Sequence, residues 1–496
     1  MKSDRHSAVR TLSGAQLLVG IGLVLLSVAL VLVNGMAYAF AVVAVTMVGY
    51  AVVMTFKSLV TLDAVRHGPV RVSRLELRQL ERELPSYTVM VPLYKEAAVV
   101  DSLLASLSQL DYPRHRLQIL LLCEGDDDAT LQALREANLG RPFEIVVIEP
   151  SLPRTKPKVC NIGLERATGQ YLVVYDAEDR PQPDQLKKAV VAFRKMRRRV
   201  VCLQARLQYR NPNTNLLTRF FASEYGTFYD MLLPSLARRG LPVPLGGTSN
   251  HFRTAALRTL GGWDPFNVTE DLDLGMCIAR SRWRVEILDS ITWEEANSRV
   301  GNWVRQRSRW LKGYMQTYLV HMRSPVNLWR ELGTGNFLAF QVLVGGTPLM
   351  TLLNPVLWAL TLAYGLTGSP LIRELFPAPV FYVGITSMVV GNFAFLYCLV
   401  TGAMVLGHHR NAKWMLLAPL YWLLMSCAAW KAALQLVVRP HYWEKTAHGL
   451  VEEGSPEPLG ARRGWDPRVV RGGAGETGEL AYPGAGPAVT AGRGRR

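Results

Sequence analysis

The chain has 496 residues, 49% of them apolar and 19% charged, with a formal net charge of +17. That length excludes one small domain, and apolar residues gathered into long runs exclude an ordinary soluble enzyme. The basic residues flank those runs or fall in the tail, and aromatic residues do not interleave with them. Nucleic acid is therefore not an expected partner, whereas a membrane surface and a phosphorylated substrate are.

In chain order, residues 15–33 are almost wholly apolar and long enough for a ~30 Å bilayer core. A second apolar run, 36–56, follows Asn34-Gly35 and stops at Lys57. Ala37-Tyr38-Ala39 has the form of a signal-peptidase site, but the first run exceeds a ~7–15 residue signal core and a second span follows at once. The two runs read as a helical hairpin over 1–57. Residues 58–86 then read as a polar linker helix along the membrane surface.

Strand and helix signals alternate from there. Residues 87–92, 117–122, 143–148, 171–175 and 200–208 read as strands, with helices over 99–110, 129–138 and 186–199 and another opening at Lys156. This alternation predicts a doubly wound, mainly parallel α/β sheet. Residues 244–252 form a glycine-hinged loop. Thr269 reads as the N-cap of a helix with acids in its first turn, and 302–322 as a long helix at headgroup level. Apolar stretches at 337–366, 380–406 and 414–438 complete the membrane part (325–440), the last read as re-entrant because it holds Pro419 and Lys431. The basic loop 408–413 is expected in the cytoplasm. The tail, 441–496, reads as disordered from about 452. The six cysteines show no CxxC spacing and read as reduced small hydrophobes.

Chemistry concentrates at strand ends. Ligands in open α/β sheets bind beyond the carboxyl ends of strands. Cys123-Glu124-Gly125-Asp126-Asp127-Asp128 and Asp176-Ala177-Glu178-Asp179 both fall there. Acids in that position suit a nucleotide and a divalent cation on its diphosphate. Asp271, in a helix first turn, is expected to stay ionised and to accept a proton. Gln306, Arg309 and Trp310 share one helix face, offering an amide, a guanidinium fork for phosphate and an indole for a sugar ring. Lys156 and Lys158 read as solvated on their own, His251 as packed, and Glu294-Glu295 as a surface pair.

These four motifs, in this order and between membrane runs, resemble the membrane-embedded family 2 glycosyltransferases, the group of the cellulose, hyaluronan, chitin and mannan synthases. The resemblance covers roughly 87–320. It implies a GT-A nucleotide-sugar domain facing the cytosol (87–324, with its interfacial helix) and an inverting transfer with one catalytic base. Carried over by position, it implies that Glu124 or Asp126 contacts the nucleoside and Lys156 the diphosphate. Asp176 and Glu178 stand where the family holds Mg2+ or Mn2+, and Asp271 is the base. Glu270, Gln306, Arg309 and Trp310 line the acceptor and diphosphate end, and 247–250 the acceptor loop. Two departures stand out: Glu178 replaces the second Asp of the metal pair, and the first cluster is not a plain Asp-Asp-Gly.

The expected protein is thus an integral membrane enzyme of a bacterial inner or plasma membrane. It takes a UDP- or GDP-sugar as donor and a glycan or lipid as acceptor, in contact with membrane lipids; an accessory subunit stays open. Processive synthesis and export of a β-glycan is the first reading. A single-transfer glycolipid synthase is the alternative, and an inactive membrane scaffold the third.

Overall fold

The computed structural model describes residues 7–64, 68–79 and 84–444. The part of the tail expected to be disordered, from about 452, lies outside the described residues, as do the basic residues Lys2 and Arg5.

The helices and strands, in chain order, are α1 (Gly14–Asp63), α2 (Arg74–Gln79), β1 (Tyr87–Leu93), α3 (Val100–Ser108), β2 (Leu117–Glu124), α4 (Asp128–Glu136), β3 (Phe143–Ile148), α5 (Lys156–Arg166), β4 (Tyr171–Val174), β5 (Arg180–Pro181), α6 (Gln185–Lys195) and β6 (Val200–Tyr209). There follow α7 (Leu216–Tyr225), a π-helical stretch Gly226–Leu232, α8 (Leu233–Arg239), β7 (Asn250–Arg253), α9 (Thr254–Thr259), α10 (Glu270–Arg280), β8 (Arg284–Glu294) and α11 (Val300–His321). The membrane part comprises α12 (Pro325–Leu332), α13 (Thr334–Phe340), a second π-helical stretch Gln341–Gly346, α14 (Thr347–Thr367), α15 (Pro370–Leu375), α16 (Ala378–Val405) and α17 (Ala418–Val438).

The sheet has eight strands in the order β3-β2-β1-β4-β7-β6-β8-β5. β3, β2, β1 and β4 run parallel, as do β6 and β8, but β7 is antiparallel to both its neighbours and β5 to β8. The sheet is therefore mixed but still mainly parallel, with six of its eight strands running one way and β7 and β5 the other. Asn250–Arg253, read from sequence as the end of a loop, is the antiparallel strand that joins the two parallel sets. Strand residues alternate between two cores with a period of two. Met90, Leu120 and Leu122 enter the core shared with α5, α10 and α11, while Val89, Val91, Ile119 and Leu121 enter the one shared with α3 and α6. Fully burying one such side chain stabilises the fold by about 1.5–3 kcal/mol.

At Asn34 the backbone leaves helical geometry (φ −157°, ψ 87°) and α1 folds back. Tyr38 Oη–H donates to Ser27 Oγ at 2.8 Å, a contact that a straight helix forbids at that separation. Both ends of α1 reach the same side: Gln16 donates to Leu319 O (2.8 Å), and Asp63 pairs with Arg239 (3.1 Å). A straight 50-residue helix would separate its ends by roughly 75 Å.

The continuous linker helix expected over 58–86 is not present. Among the described residues of that range, 58–63 are the end of α1 and Arg74–Gln79 is helical, but the stretch around Val70 is extended and pairs with Leu288. Four helices among the described residues are long and apolar enough to cross a membrane, the last spanning His409–Val438. That last helix packs against α11: Tyr421 meets Arg307, and the segment after it returns to accept hydrogen bonds along α11, from Lys312 to Tyr442 O (2.7 Å) and from Gln316 to Pro440 O (2.8 Å).

Candidate active site

The carboxyl ends of β1 and β4 open into a cavity of about 760 Å³. Asp176 and Glu178 enter it from the turn after β4, where Tyr175 N–H donates to Met90 O (3.0 Å) and ends the strand. Lys156, at the first turn of α5, binds Asp176 and donates to Gly247 O (2.5 Å). Burial disfavours the Lys156 ammonium, but Asp176, Asp271 and Glu270 together hold it above its ordinary value. Lys156 is thus a fixed positive charge among carboxylates, not a solvated lysine. Lys158 is likewise engaged, with Glu124 (3.4 Å) and Ser151 O (2.9 Å).

Asp179, behind this turn, is buried and its Oδ1 has no partner. Burial and the neighbouring Asp176 and Glu178 push its carboxyl well up, against the Thr248 hydroxyl that binds it. Thr248 also donates to Val174 O (3.2 Å), so 246–249 is tied to the end of β4. Ser249 holds this turn at φ +57°.

Asp271 sits in the first turn of α10. Trp263 Nε1–H donates to its Oδ1 at 2.9 Å. The expectation of a low pKa is corrected: burial raises Asp271 to about 6, against Lys156 and Trp263, because a helix terminus cannot offset loss of water. Burial and Asp271 also raise Glu270, which holds it neutral near pH 7. Thr269 precedes the helix, but its hydroxyl does not cap it. A transfer that needs ionised Asp271 loses rate as pH falls through about 6 and levels off above it. The turnover profile of the purified protein, read against an unchanged melting curve, checks this.

On α11, Gln306, Arg309 and Trp310 all line the cavity. Asn297 Nδ2–H donates to Gln306 Oε1 (2.8 Å), and Trp310 stacks near Tyr225, with centroids 6.4 Å apart. Burial lowers Arg309, while Glu270, Asp176 and Glu178 oppose that. The helix can come this close to α10 because position 313 has no side chain: a Cβ there would lie 2.0 Å from Thr269 Oγ1. Gly313→Ala should therefore separate α10 from α11, at about 1–3 kcal/mol for an overpacked core, and lower turnover more than donor affinity. A melting curve and Michaelis parameters test it; unchanged values for both would contradict the tight approach.

Of the first acidic cluster, Glu124 lines the cavity and is buried with Oε2 unpartnered. Asp126 is exposed, outside the lining, and paired with Arg154 (2.5 Å). Asp127 instead shapes the turn, accepting from Thr130 N (3.3 Å) and Lys95 N (2.5 Å). His251 is buried against Tyr87 Oη (2.7 Å) and Gln185 (3.2 Å), so it packs. All six cysteines are free.

Among the cavity residues, Glu294, Glu224 and Trp443 lay outside the expected site. Glu294, read as surface, ends β8 inside the cavity, where burial and the acids Asp179, Glu178 and Asp176 push its carboxyl well up. Glu224 binds Arg307 Nη1 (3.0 Å) and accepts from Tyr421 Oη–H (2.6 Å), joining α7, α11 and α17. Trp443 lies on the Arg309 guanidinium, 4.6 Å from ring centroid to Cζ. The only available signal was Arg307 itself, inside Gln306-Arg307-Ser308-Arg309-Trp310. Beyond these residues the cavity continues between the membrane helices, past Met54, Asn354, Phe395 and Trp422.

Residues 85–313 match the model of the glycosyltransferase-like family 2. A beta-monoglucosyldiacylglycerol synthase of Trichormus variabilis is 27% identical over 247 residues, covering 49% of this chain and 52% of that protein. A probable glucomannan 4-beta-mannosyltransferase of Arabidopsis thaliana is 25% identical over 291 residues, covering 53% and 48%. The chain thus spans about half the length of the curated relatives it matches. Among solved structures, a mannosyltransferase of Pyrobaculum calidifontis in complex with GDP-Man and Mn2+ aligns with a TM-score of 0.47 at 18% identity, over 78% of this chain and 99% of that one.

Proposed function

Because residues 85–313 form a family 2 glycosyltransferase domain of GT-A-like fold, we propose that the protein moves a sugar from a UDP- or GDP-sugar to an acceptor hydroxyl with inversion, elongating a β-glycan that leaves between its own membrane helices. One observation carries this reading: a single cavity joins the acids at the strand ends to the membrane helices.

Asp176 and Glu178, with the unpartnered Oδ1 of Asp179 behind them, form a hard-oxygen donor set suited to Mg2+ or Mn2+. Asp176 and Glu178 would hold the ion, which supplies positive charge to the donor diphosphate when bound. Lys156 adds a fixed charge beside it, and Glu124 faces the nucleoside. The acceptor hydroxyl lies against Asp271, whose Oδ1 is held by Trp263, so its second oxygen takes the proton. The acceptor oxygen bonds to the anomeric carbon as the bond from that carbon to the diphosphate oxygen breaks, and the nucleoside diphosphate leaves with the electron pair. Arg309 offsets its charge in a buried site, where such a contact is stronger than in water. Neutral Glu270 adds no repulsion, and Trp310 offers a face to the acceptor ring.

The catalytic domain lies on the cytosolic side of a plasma membrane in this reading, since the basic loop 408–413 and both ends of α1 share its side. A glycolipid product is the second reading. It is favoured by the largely apolar membrane half of the cavity and by the name of the Trichormus relative. Labelled UDP- and GDP-sugars offered to the protein in nanodiscs separate the two. Label in an insoluble, glycosidase-sensitive fraction supports polymer synthesis. Label in the organic phase replaces it with glycolipid synthesis, and label in neither overturns both.

A further inference from the structure

We infer that a second pocket, apart from the transfer cavity, holds the phosphate of an anionic lipid headgroup. It has a volume of about 310 Å³ and lies at the starts of the parallel strands β6 and β8, whereas Glu294, at the far end of β8, faces the transfer cavity. Arg199, Arg282 and Arg284 line it. Arg284 N–H donates to Arg199 O (2.8 Å), which keeps the two side by side. The Arg284 guanidinium lies against Gly240, where a Cβ would come within 2.8 Å of Nη2. Arg282 is held at φ +57°, a left-handed conformation that non-glycine residues rarely adopt.

None of the three arginines forms a salt bridge among the described residues, and the acid in the lining, Glu331, is already bound by Arg280 at 2.6 Å. Glu286, nearby, faces both Arg284 and Arg238. Guanidinium forks match phosphate oxygens in pairs, which makes a phosphodiester the chemistry that this pocket recognises.

The depth of the pocket selects a lipid as the source. Gly333 and Asn336, in its wall, stand at the foot of the apolar run Thr334–Thr367. Ala237 and Gly240 belong to the end of α8, which Arg239 ties to Asp63 at the foot of α1 (3.1 Å). Beside the pocket, α12 turns Val326 and Trp329 outward, 55% and 48% exposed, on a short amphipathic helix suited to the interface. Two membrane runs therefore end at the rim, at headgroup level. The inner leaflet, with its anionic lipids, supplies the ligand there. The far end of α10 also lines the pocket, through Ile278 and Ala279, while its first turn carries Asp271. An occupied pocket thus braces the helix that holds the proposed base.

The test uses the full chain in nanodiscs of phosphatidylcholine with or without phosphatidylglycerol, and native mass spectrometry to count retained lipid. Phosphatidylglycerol should be retained in preference to phosphatidylcholine. Replacing Arg199, Arg282 and Arg284 together by Gln should lower that retention by roughly tenfold or more, at an unchanged melting temperature in phosphatidylcholine. Should the triple variant fail to fold, Arg282→Gln alone is read for a smaller loss in the same direction. Equal retention of both lipids, or unchanged retention in a folded variant, overturns the inference. Displacement of the lipid by millimolar inorganic phosphate overturns the lipid as the source.

Discussion

Replacing Asp271 by Asn should leave nucleotide-sugar binding within about twofold of the unaltered protein and reduce transfer by roughly 10²–10⁴-fold, the range for a positioned general base. The substitution is nearly isosteric. The amide oxygen still accepts from Trp263 Nε1–H, so the first turn of α10 keeps its place. What is lost is the proton acceptor, together with one of the acids around Lys156, of which Asp176 remains in direct contact. A calorimetric titration with the donor and a turnover assay separate the effects. Loss of both would mean that Asp271 positions the site, and persistence of turnover would assign the base elsewhere.

The second large effect is expected at the metal-binding acids. Asp176→Asn should lower transfer on the order of 10²–10³-fold, the scale for losing one electrostatic contact to developing charge, and should weaken donor binding as well. The joint loss distinguishes it from Asp271→Asn. A chelator should have the same effect on the unaltered protein, with Mg2+ or Mn2+ restoring activity. The Glu178→Asp change shortens the arm by one methylene and retains the charge, so it should alter the preferred ion more than the maximum rate. Chelator-resistant transfer would remove Asp176 and Glu178 from the diphosphate and leave Lys156 and Arg309 to carry it.

Much of this site was legible in the chain because its parts are local patterns. The strand Tyr171–Val174 is a continuous apolar run closed by acids, and the face shared by Gln306, Arg309 and Trp310 is read from a period of 3.6. The parallel strands β1, β2 and β3 are likewise continuous apolar runs. The short strand Asn250–Arg253 was hidden because it has only four residues and follows Gly246-Gly247, so it carries a loop's composition. Its antiparallel pairing with β4 and β6 depends on partners distant in sequence. Burial was equally illegible. Asp271 and Glu294 carry raised pKa values because α11 and the strand-end acids enclose them, which no local pattern reports. The contacts of Arg307 with Glu224 and Tyr421 join three helices from separate parts of the chain. Composition alone gave Lys156 and Lys158 a solvated role that their carboxylate partners contradict.

The stereochemistry of transfer tests the single-displacement reading most directly. An α-linked UDP- or GDP-sugar with carbon-13 at the anomeric centre is turned over by the protein in nanodiscs, and the new linkage is read by NMR from its one-bond carbon–hydrogen coupling. A β linkage is the predicted result, since Asp271 takes the acceptor proton while the diphosphate leaves from the opposite face. An α linkage would contradict it, because retention requires a second displacement or a same-face reaction in which Asp271 is not the sole base.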